Sequence, residues 1–237
     1  MRLRTIACAL MTAILLALSI GSAAATTAPT HLKRLAQQQT NLLLKFYEGQ
    51  NVSPPKCGQG QGFNGIDGVF LLPVPAFTPG NETVTCKTSA RSVLVDLGGF
   101  VLTEDQRSSW TLKNGQLIPF TRENLEPICA DIIAQGLLSD PMPATLDGRP
   151  ITGPLLNSGV FTAKVNRHAQ IPGDGDLYAD SVALGHPGRL ATVYCGFKAK
   201  VHLHPGKHTI VVDYSGIFGS PTEITYNITV KRHHRSH

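Results

Sequence analysis

Three histidines near the carboxyl end of the chain have a spacing that suits a metal site. His202 and His204 are two residues apart in a predicted strand, so their side chains project from the same face. His208 follows the turn Pro205-Gly206-Lys207 and can return beside them. Three imidazoles so placed can bind zinc or copper. The alternative is that His208 stabilises the turn while His202 and His204 face solvent.

A segment rich in Gly and Asp offers oxygen ligands for calcium. Asp174, Asp176 and Asp180 match part of a calcium-binding loop, but the bidentate glutamate that closes such a site is missing. A solvated turn explains the same residues. Both interpretations stay open for this segment.

Four cysteines lie beyond the apolar amino terminus, which contains Cys8. They are Cys57, Cys86, Cys129 and Cys195. They include no Cys-x-x-Cys pair, so two disulfides are a better interpretation than a zinc site. Three pairings are possible. The simplest joins sequence neighbours, Cys57 with Cys86 and Cys129 with Cys195.

The catalytic motifs with a known mechanism are missing from the sequence. It contains no Gly-x-Ser-x-Gly and no His-Glu-x-x-His. Glu104, Asp105, Glu123 and Glu126 can serve as acid and base in principle, but such pairs are recognised by their separation in space. We therefore assign no catalytic residue and expect no cofactor.

The amino terminus has the layout of a signal peptide. Arg2 and Arg4 precede the uncharged apolar run 5–20, and the small residues at 21–25 suit cleavage after Ala25. The alternative, a membrane anchor, needs about 20 apolar residues, and the run is shorter. No later run is long enough to span a bilayer. We expect a signal peptide at 1–25, a helical segment at 26–50, one β-sandwich domain at 51–231 and a basic, His-rich tail at 232–237.

The net charge of +5 does not indicate a nucleic-acid partner. Arg2 and Arg4, with Lys231, Arg232 and Arg235 of the tail, account for this excess. The folded body is therefore roughly neutral, and the tail is either a contact for an anionic surface or a solvated terminus.

Three sequons begin at Asn51, Asn81 and Asn227. Each has the form Asn-x-Ser/Thr that glycosylating hosts modify. They are glycosylation sites only if the host uses them.

Hydrophobic spacing predicts the elements that would position these residues. Apolar residues at helical spacing predict one helix over 31–47 and a second after Thr121. Thr121 is the expected cap of the second helix. Short apolar runs at 69–73 and 92–96 predict buried strands. The second half is predicted to be strands and turns throughout, with an Asp147-Gly148 hairpin. Further strands are expected at 160–165, 190–204, 208–214 and 223–230. We expect a mainly β fold, an antiparallel β-sandwich with an N-terminal helix and one or two additional short helices.

A series of short motifs occurs in a fixed order along the chain. They are Cys57-Gly58-Gln59-Gly60-Gln61-Gly62 before Val69-Phe70-Leu71-Leu72, Thr85-Cys86, Ala144-Thr145-Leu146-Asp147-Gly148, Leu203-His204-Pro205-Gly206-Lys207-His208-Thr209-Ile210 and Thr225-Tyr226-Asn227-Ile228-Thr229-Val230. Over about residues 46–230 this series resembles a family of secreted, mainly bacterial proteins without an assigned function. The chain departs from the pattern at Cys195 and at His204, which replaces an apolar residue. The resemblance implies an exported, sandwich-like domain and brings no catalytic residues.

These observations predict an exported, non-catalytic binding or structural module of the extracellular space or cell envelope. Its partner is an unidentified ligand of that compartment. The alternative is a secreted hydrolase that acts on a cell-wall or extracellular polymer. Converging polar side chains in one pocket would favour the hydrolase, and an aromatic-lined face would favour binding.

Overall fold

The computed structural model of the chain describes residues 30–46, 57, 64–73, 80–167, 170–171, 175–215 and 222–231. The predicted signal peptide, the basic tail and the sequon at Asn51 lie outside these residues. Three α-helices occur within them: α1 (Thr30–Phe46), α2 (Leu125–Ala134) and α3 (Leu177–Ala183). None of these helices is long and apolar enough to cross a membrane.

Fourteen strands make up most of the rest of the described chain. Their bounds are β1 (Val69–Leu71), β2 (Glu82–Thr88), β3 (Ser92–Thr103), β4 (Asp105–Thr111), β5 (Leu117–Phe120), β6 (Ala144–Leu146), β7 (Arg149–Pro150), β8 (Leu155–Asn157), β9 (Phe161–Lys164), β10 (Gln170–Ile171), β11 (Gly175–Asp176), β12 (Arg189–His202), β13 (Gly206–Asp213) and β14 (Glu223–Val230). The prediction of a mainly β fold is confirmed.

Two five-stranded sheets contain most of these strands. Sheet I has the order β1-β3-β12-β8, and β9 also pairs with β12. Sheet II has the order β2-β14-β13-β6-β7. The pairs β4-β5 and β10-β11 form two small separate ribbons. The long strands β3 and β12 form the centre of sheet I and pair along most of their length.

Both sheets are mixed, so the expected antiparallel character is confirmed only in part. β1 pairs with β3 in parallel, and β2 pairs with β14 in parallel. Neither pair is joined by a hairpin, the connection that enforces antiparallel pairing. β2 belongs to the other sheet although it lies between β1 and β3 in sequence, and most of the chain separates β2 from β14.

The main hydrophobic core contains residues of both sheets. Val93, Val95 and Leu97 from β3 share one buried cluster with Ile210 and Val212 from β13. Tyr214, which directly follows β13, adds a hydrogen bond between the sheets. Its hydroxyl donates to the carbonyl of Asp96 in β3 at 2.8 Å. The sheets therefore pack through a common interior, which is the feature of a sandwich that the structure supports.

The helices pack on sheet I through separate buried clusters. The predicted N-terminal helix is confirmed as α1, in which Leu32, Leu35, Ala36 and Leu44 are buried at helical spacing. In α2, Leu125, Ile128, Cys129 and Ile132 are buried against β12. Its predicted start is wrong in detail: Asn124, not Thr121, is the N-cap, and the Asn124 amide donates to the carbonyl of Pro119.

The second half of the chain contains a helix that the sequence pattern did not predict. α3 begins where a flexible loop was expected, and the carboxylate of Asp176 caps it by accepting from the N–H groups of Tyr178 and Ala179. The hairpin at Asp147-Gly148 is confirmed, with φ values of 49° and 77° that suit its tight turn. β13 and β14 are also confirmed and pair with each other.

Candidate functional site

Two disulfides tie the loops and helices to the sheets. Cys57 pairs with Cys86 of β2, and Cys129 of α2 pairs with Cys195 of β12. The pairing of sequence neighbours is therefore confirmed. Cys195 has a structural role, because its disulfide attaches α2 to β12 at the centre of sheet I.

The three histidines lie near one another but do not converge. His202 ends β12 in sheet I, whereas His208 lies on β13 in sheet II. The rings of His202 and His204 are exposed and stand edge to face, with centroids 5.6 Å apart. Within the described residues, no three His, Cys, Asp or Glu side chains form a group that could hold a metal ion.

His208 uses both ring nitrogens in hydrogen bonds. Nδ1 lies 2.8 Å from the carboxylate of Asp147, and Nε2 lies 2.8 Å from the carbonyl of His204. Burial lowers the pKa of His208, but these two acceptors and the charge of Asp147 outweigh it and raise the pKa. An imidazole that donates from both nitrogens is protonated and has no lone pair for a metal. His208 in this position stabilises the hairpin.

The other polar candidates lie at different places in the fold. Asp176 caps α3, Asp180 within α3 pairs with Arg107, and Asp174 lies outside the described residues. Glu104 is buried and accepts from the N–H of Ala191 at 2.6 Å. Glu123 and Glu126 are exposed, the first just before α2 and the second in its first turn.

The two sequons within the described residues are both on the surface. Asn81 and Asn227 are exposed. The Asn81 side chain accepts from the N–H of Glu223 at 3.1 Å, and that of Asn227 accepts from the Thr209 hydroxyl at 3.3 Å. A glycosylating enzyme would find both side chains at the surface of sheet II.

A buried ion pair lies at the centre of sheet I. The Nζ atom of Lys198 is 2.7 Å from Oδ2 of Asp96, and the two residues are direct partners across β12 and β3. The side chain of Lys198 is 1% exposed. Burial lowers the pKa of Lys198, whereas the charge and hydrogen bond of Asp96 act in the opposite direction.

The hydroxyl of Tyr194 completes this buried cluster. It lies 3.0 Å from Oδ1 of Asp96, 3.2 Å from the carbonyl of Gly98 and 3.1 Å from the carbonyl of Phe197. Burial, with the charge of Asp96, raises the pKa of Tyr194 well above its ordinary value, so the hydroxyl stays protonated. The Nζ atom of Lys198 lies 3.8 Å from the centre of the Tyr194 ring, a cation–π contact.

A cleft of about 200 Å³ opens where β3 leaves the core. Its apolar part includes Phe100, Phe120 and Leu177, and its polar part includes Asp105, Ser108 and Asp180. Phe100 is 40% exposed, unlike the buried first half of β3. The cleft therefore combines one accessible aromatic ring with carboxylate and hydroxyl groups.

Arg107 connects the two carboxylates of the cleft. Its Nε atom lies 3.5 Å from Asp105, and its Nη2 atom lies 2.5 Å from Asp180. Partial burial raises the pKa of Asp105, but the Ser108 hydroxyl, the Arg107 N–H and the Arg107 charge outweigh it and lower the pKa. Asp105 is therefore an ionised acceptor at neutral pH.

Comparison of the chain with protein-family models, with curated proteins and with solved structures finds no match. The resemblance to a family of secreted proteins accordingly stays a prediction.

Sequence reasoning missed both the buried cluster and the cleft. Asp96 and Lys198 are 102 residues apart, and each lies in an ordinary apolar strand pattern. A lysine between Phe197 and Ala199 in a buried run was the available signal, because a buried lysine needs a carboxylate partner. The cleft depends on α3, which the sequence analysis had interpreted as a loop.

Proposed function

We propose that this chain is an exported, non-catalytic binding module of the extracellular space or cell envelope, and that the cleft beside Phe100 binds a saccharide. The observation that carries the proposal is the composition of the cleft. An accessible aromatic ring lies beside two carboxylates and a hydroxyl, and the guanidinium of Arg107 pairs with both carboxylates. The scaffold around it is a sandwich-like pair of sheets.

The two disulfides support the export that this proposal requires. Disulfides persist in oxidising compartments such as the extracellular space and the bacterial periplasm. Cys57–Cys86 and Cys129–Cys195 account for every cysteine beyond the apolar amino terminus. The predicted signal peptide gives an independent reason for the same compartment.

The cleft chemistry matches the two surfaces of a sugar ring. Sugar C–H groups pack on an aromatic face, and Phe100 offers such a face with 40% of its surface exposed. Sugar hydroxyls both donate and accept, so the Asp105 carboxylate can accept from them while Arg107 donates. Both kinds of contact are available within one cleft of about 200 Å³, which suits one or two sugar units.

The alternative is a secreted hydrolase, because two carboxylates line the same cleft. A glycosidase needs one carboxyl group that stays protonated to act as the general acid. The hydrogen bonds from Ser108 and Arg107 hold the pKa of Asp105 low, and Arg107 also pairs with Asp180. These contacts favour charged acceptors, which suits binding better than proton donation.

A screen of envelope and extracellular polysaccharides against the purified protein tests the proposal, followed by calorimetric titration of each oligosaccharide that binds. Phe100→Ala should weaken binding roughly tenfold, since an aromatic contact is worth about 1 kcal/mol or more. Asp105→Asn should weaken saccharide binding more than Phe100→Ala does, because it removes the ionised acceptor.

The matched control is Leu117→Ala. Leu117 is an exposed apolar residue of β5 outside the cleft, so its removal should leave affinity unchanged. Unchanged affinity in Phe100→Ala would overturn the proposal. So would a screen in which no saccharide binds the wild-type protein. Release of shortened sugars by the wild-type protein would favour the hydrolase instead.

A further inference from the structure

We propose that Lys198 and Asp96 condense into an amide, an internal isopeptide bond that joins β12 covalently to β3. The two side chains already touch, with Nζ 2.7 Å from Oδ2. They are direct partners in the register of the two longest strands of sheet I. The inference is independent of the saccharide site, because it concerns the interior of the sheet.

The strands hold the reacting groups in place. β3 and β12 pair on both sides of Asp96 and Lys198, so neither residue can move away without breaking the sheet. A register irregularity between Gly196 and Lys198 lies next to the pair. Groups fixed at contact distance react with effective concentrations of roughly 10⁵ M or more in favourable cases. Proximity therefore favours a bond that free side chains would not form.

Exclusion of water favours the amide over the separated groups. Lys198 is 1% exposed and Asp96 is 9% exposed. The Tyr194 ring covers the ammonium at 3.8 Å, so bulk water has little access to the bond that would form. Condensation removes two charges from a buried position, where charges are costly. Burial also lowers the pKa of Lys198, which favours the neutral, nucleophilic amine.

The two oxygens of Asp96 have different surroundings, which assigns them different roles. Oδ1 accepts from the N–H of Gly98 at 3.0 Å and from the hydroxyl of Tyr194 at 3.0 Å. These two donors would stabilise negative charge on Oδ1 as Nζ attacks the carboxyl carbon. Oδ2 faces Nζ and is the oxygen that leaves.

The reaction balances without any other reactant. The bond from Nζ to Cγ forms, and the bond from Cγ to Oδ2 breaks. Of the three protons on the Lys198 ammonium, two pass to Oδ2, which leaves as one water molecule, and one stays on the amide nitrogen. The positive charge of Lys198 and the negative charge of Asp96 disappear together. Oδ1 becomes the amide oxygen and keeps the two donors from Gly98 and Tyr194.

Two glycines make room for the hydroxyl that holds Oδ1. Gly99 and Gly196 face each other across β3 and β12. A Cβ atom at Gly99 would lie 2.8 Å from the Tyr194 hydroxyl oxygen, and one at Gly196 would lie 2.6 Å from it, with backbone atoms closer still. Any other residue at either position would displace Tyr194 from Asp96.

Peptide mapping of the intact, purified protein tests the proposal directly. After denaturation and reduction, trypsin should release peptide 92–107, which contains Asp96, still joined to peptide 190–200 and lighter than the two by one water molecule. Cleavage after Lys198 should be blocked, because its side chain is no longer a free amine. This assay does not depend on where the amino terminus of the mature protein lies.

Three variants sharpen the assignment. Lys198→Arg keeps the charge but should give no cross-linked peptide. Asp96→Asn should form the same bond with loss of one ammonia instead of one water. Tyr194→Phe removes one donor to Oδ1 and should lower the cross-linked fraction at a given time after refolding by roughly tenfold or more.

The wild-type chain decides the outcome even if a variant fails to fold. A cross-link between 92–107 and 190–200 in the wild-type protein confirms the bond. Wild-type peptides 92–107 and 190–198 recovered separately, at full mass and with normal cleavage after Lys198, would overturn it and leave the pair as a buried salt bridge.

Discussion

Two ion pairs in this protein have similar distances and different consequences. Lys198 and Asp96 approach to 2.7 Å, and Arg107 and Asp180 approach to 2.5 Å. The two carboxylates are buried alike, at 10% and 9% exposure of the side chain. The cations differ, since Lys198 is 1% exposed and Arg107 is 64% exposed.

The exposure of the cation therefore separates the roles of the two pairs. Lys198 is enclosed by β3, β12 and Tyr194, and Asp96 is its ion-pair partner among the described residues. Arg107 pairs with two carboxylates that line the cleft, and its exposed guanidinium can share its charge with water. The first pair belongs to the scaffold, and the second is the pair that we propose presents charge to a saccharide.

Lys198→Ala should have the largest effect on stability. It leaves the Asp96 carboxylate buried without its cation, which costs roughly 3–5 kcal/mol of the free energy of unfolding. Urea denaturation with the disulfides intact measures this. The direction is the same for an ion pair and for an amide, so the result does not depend on the proposed condensation.

The double variant Asp96→Leu with Lys198→Met is the control for that loss. It replaces the pair by apolar side chains and should cost less than Lys198→Ala alone, because no charge is left unpaired. A Lys198→Ala variant within about 1 kcal/mol of wild type would contradict a scaffold role for the pair.

The disulfides provide a covalent reference for the size of these stability effects. Replacing Cys129 and Cys195 by Ala should cost roughly 2–5 kcal/mol, and replacing Cys57 and Cys86 should cost less. The reason is loop length, since the two bonds close separations of 66 and 29 residues. Denaturation of the two double variants measures the order. The reverse order would show that the Cys129–Cys195 bond adds little to the hold on β12.

Arg107→Ala should cost less stability than Lys198→Ala, about 1 kcal/mol or less, because removal of the exposed guanidinium opens Asp180 to water, whereas Asp96 stays enclosed. Thermal unfolding beside wild type checks this. A loss as large as that of Lys198→Ala would remove the distinction between the two pairs.

His208→Gln should have the smallest effect, and a pH-dependent one. The folded pKa of His208 is raised above 6.5, so the bridge to Asp147 is complete below about pH 6.5 and is lost as the pH rises through the folded pKa. The pKa of Asp147 is lowered, so the bridge also weakens in acid, as the pH falls through that lower value.

Unfolding at several pH values tests this bridge. The difference between wild type and His208→Gln should be below about 1 kcal/mol near pH 6, since Asp147 is half exposed, and should shrink towards pH 9. His202→Gln is the matched control, because His202 has no contact with Asp147. A difference that grows with pH would contradict the assigned hydrogen bonds.

Local signals predicted much of the fold, and non-local pairing did not follow from them. Alternation over 223–230 gave β14 with the bounds that the structure has, and Asp147-Gly148 gave the hairpin. Helical spacing located α1 and α2 within a few residues. These features depend on neighbours in sequence, which is why the sequence alone was enough.

The features that sequence reasoning missed depend on which distant strands meet. The parallel pairing of β2 with β14 joins strands that are far apart in sequence, and no turn signal specifies it. The pairing of Asp96 with Lys198 follows from the register of β3 with β12. The histidines show the opposite case. His204 and His208 are close in sequence, but their side chains do not converge because the chain passes from sheet I to sheet II there.

The most direct test of the account is a calorimetric titration of Arg107→Ala with the oligosaccharide that binds the wild-type protein most tightly. We expect a loss of affinity of roughly tenfold or more, since a charge-assisted hydrogen bond is worth about 1.5–3 kcal/mol, while the variant remains folded. Unchanged affinity in Arg107→Ala, or the lack of any saccharide that binds the wild-type protein, would contradict it.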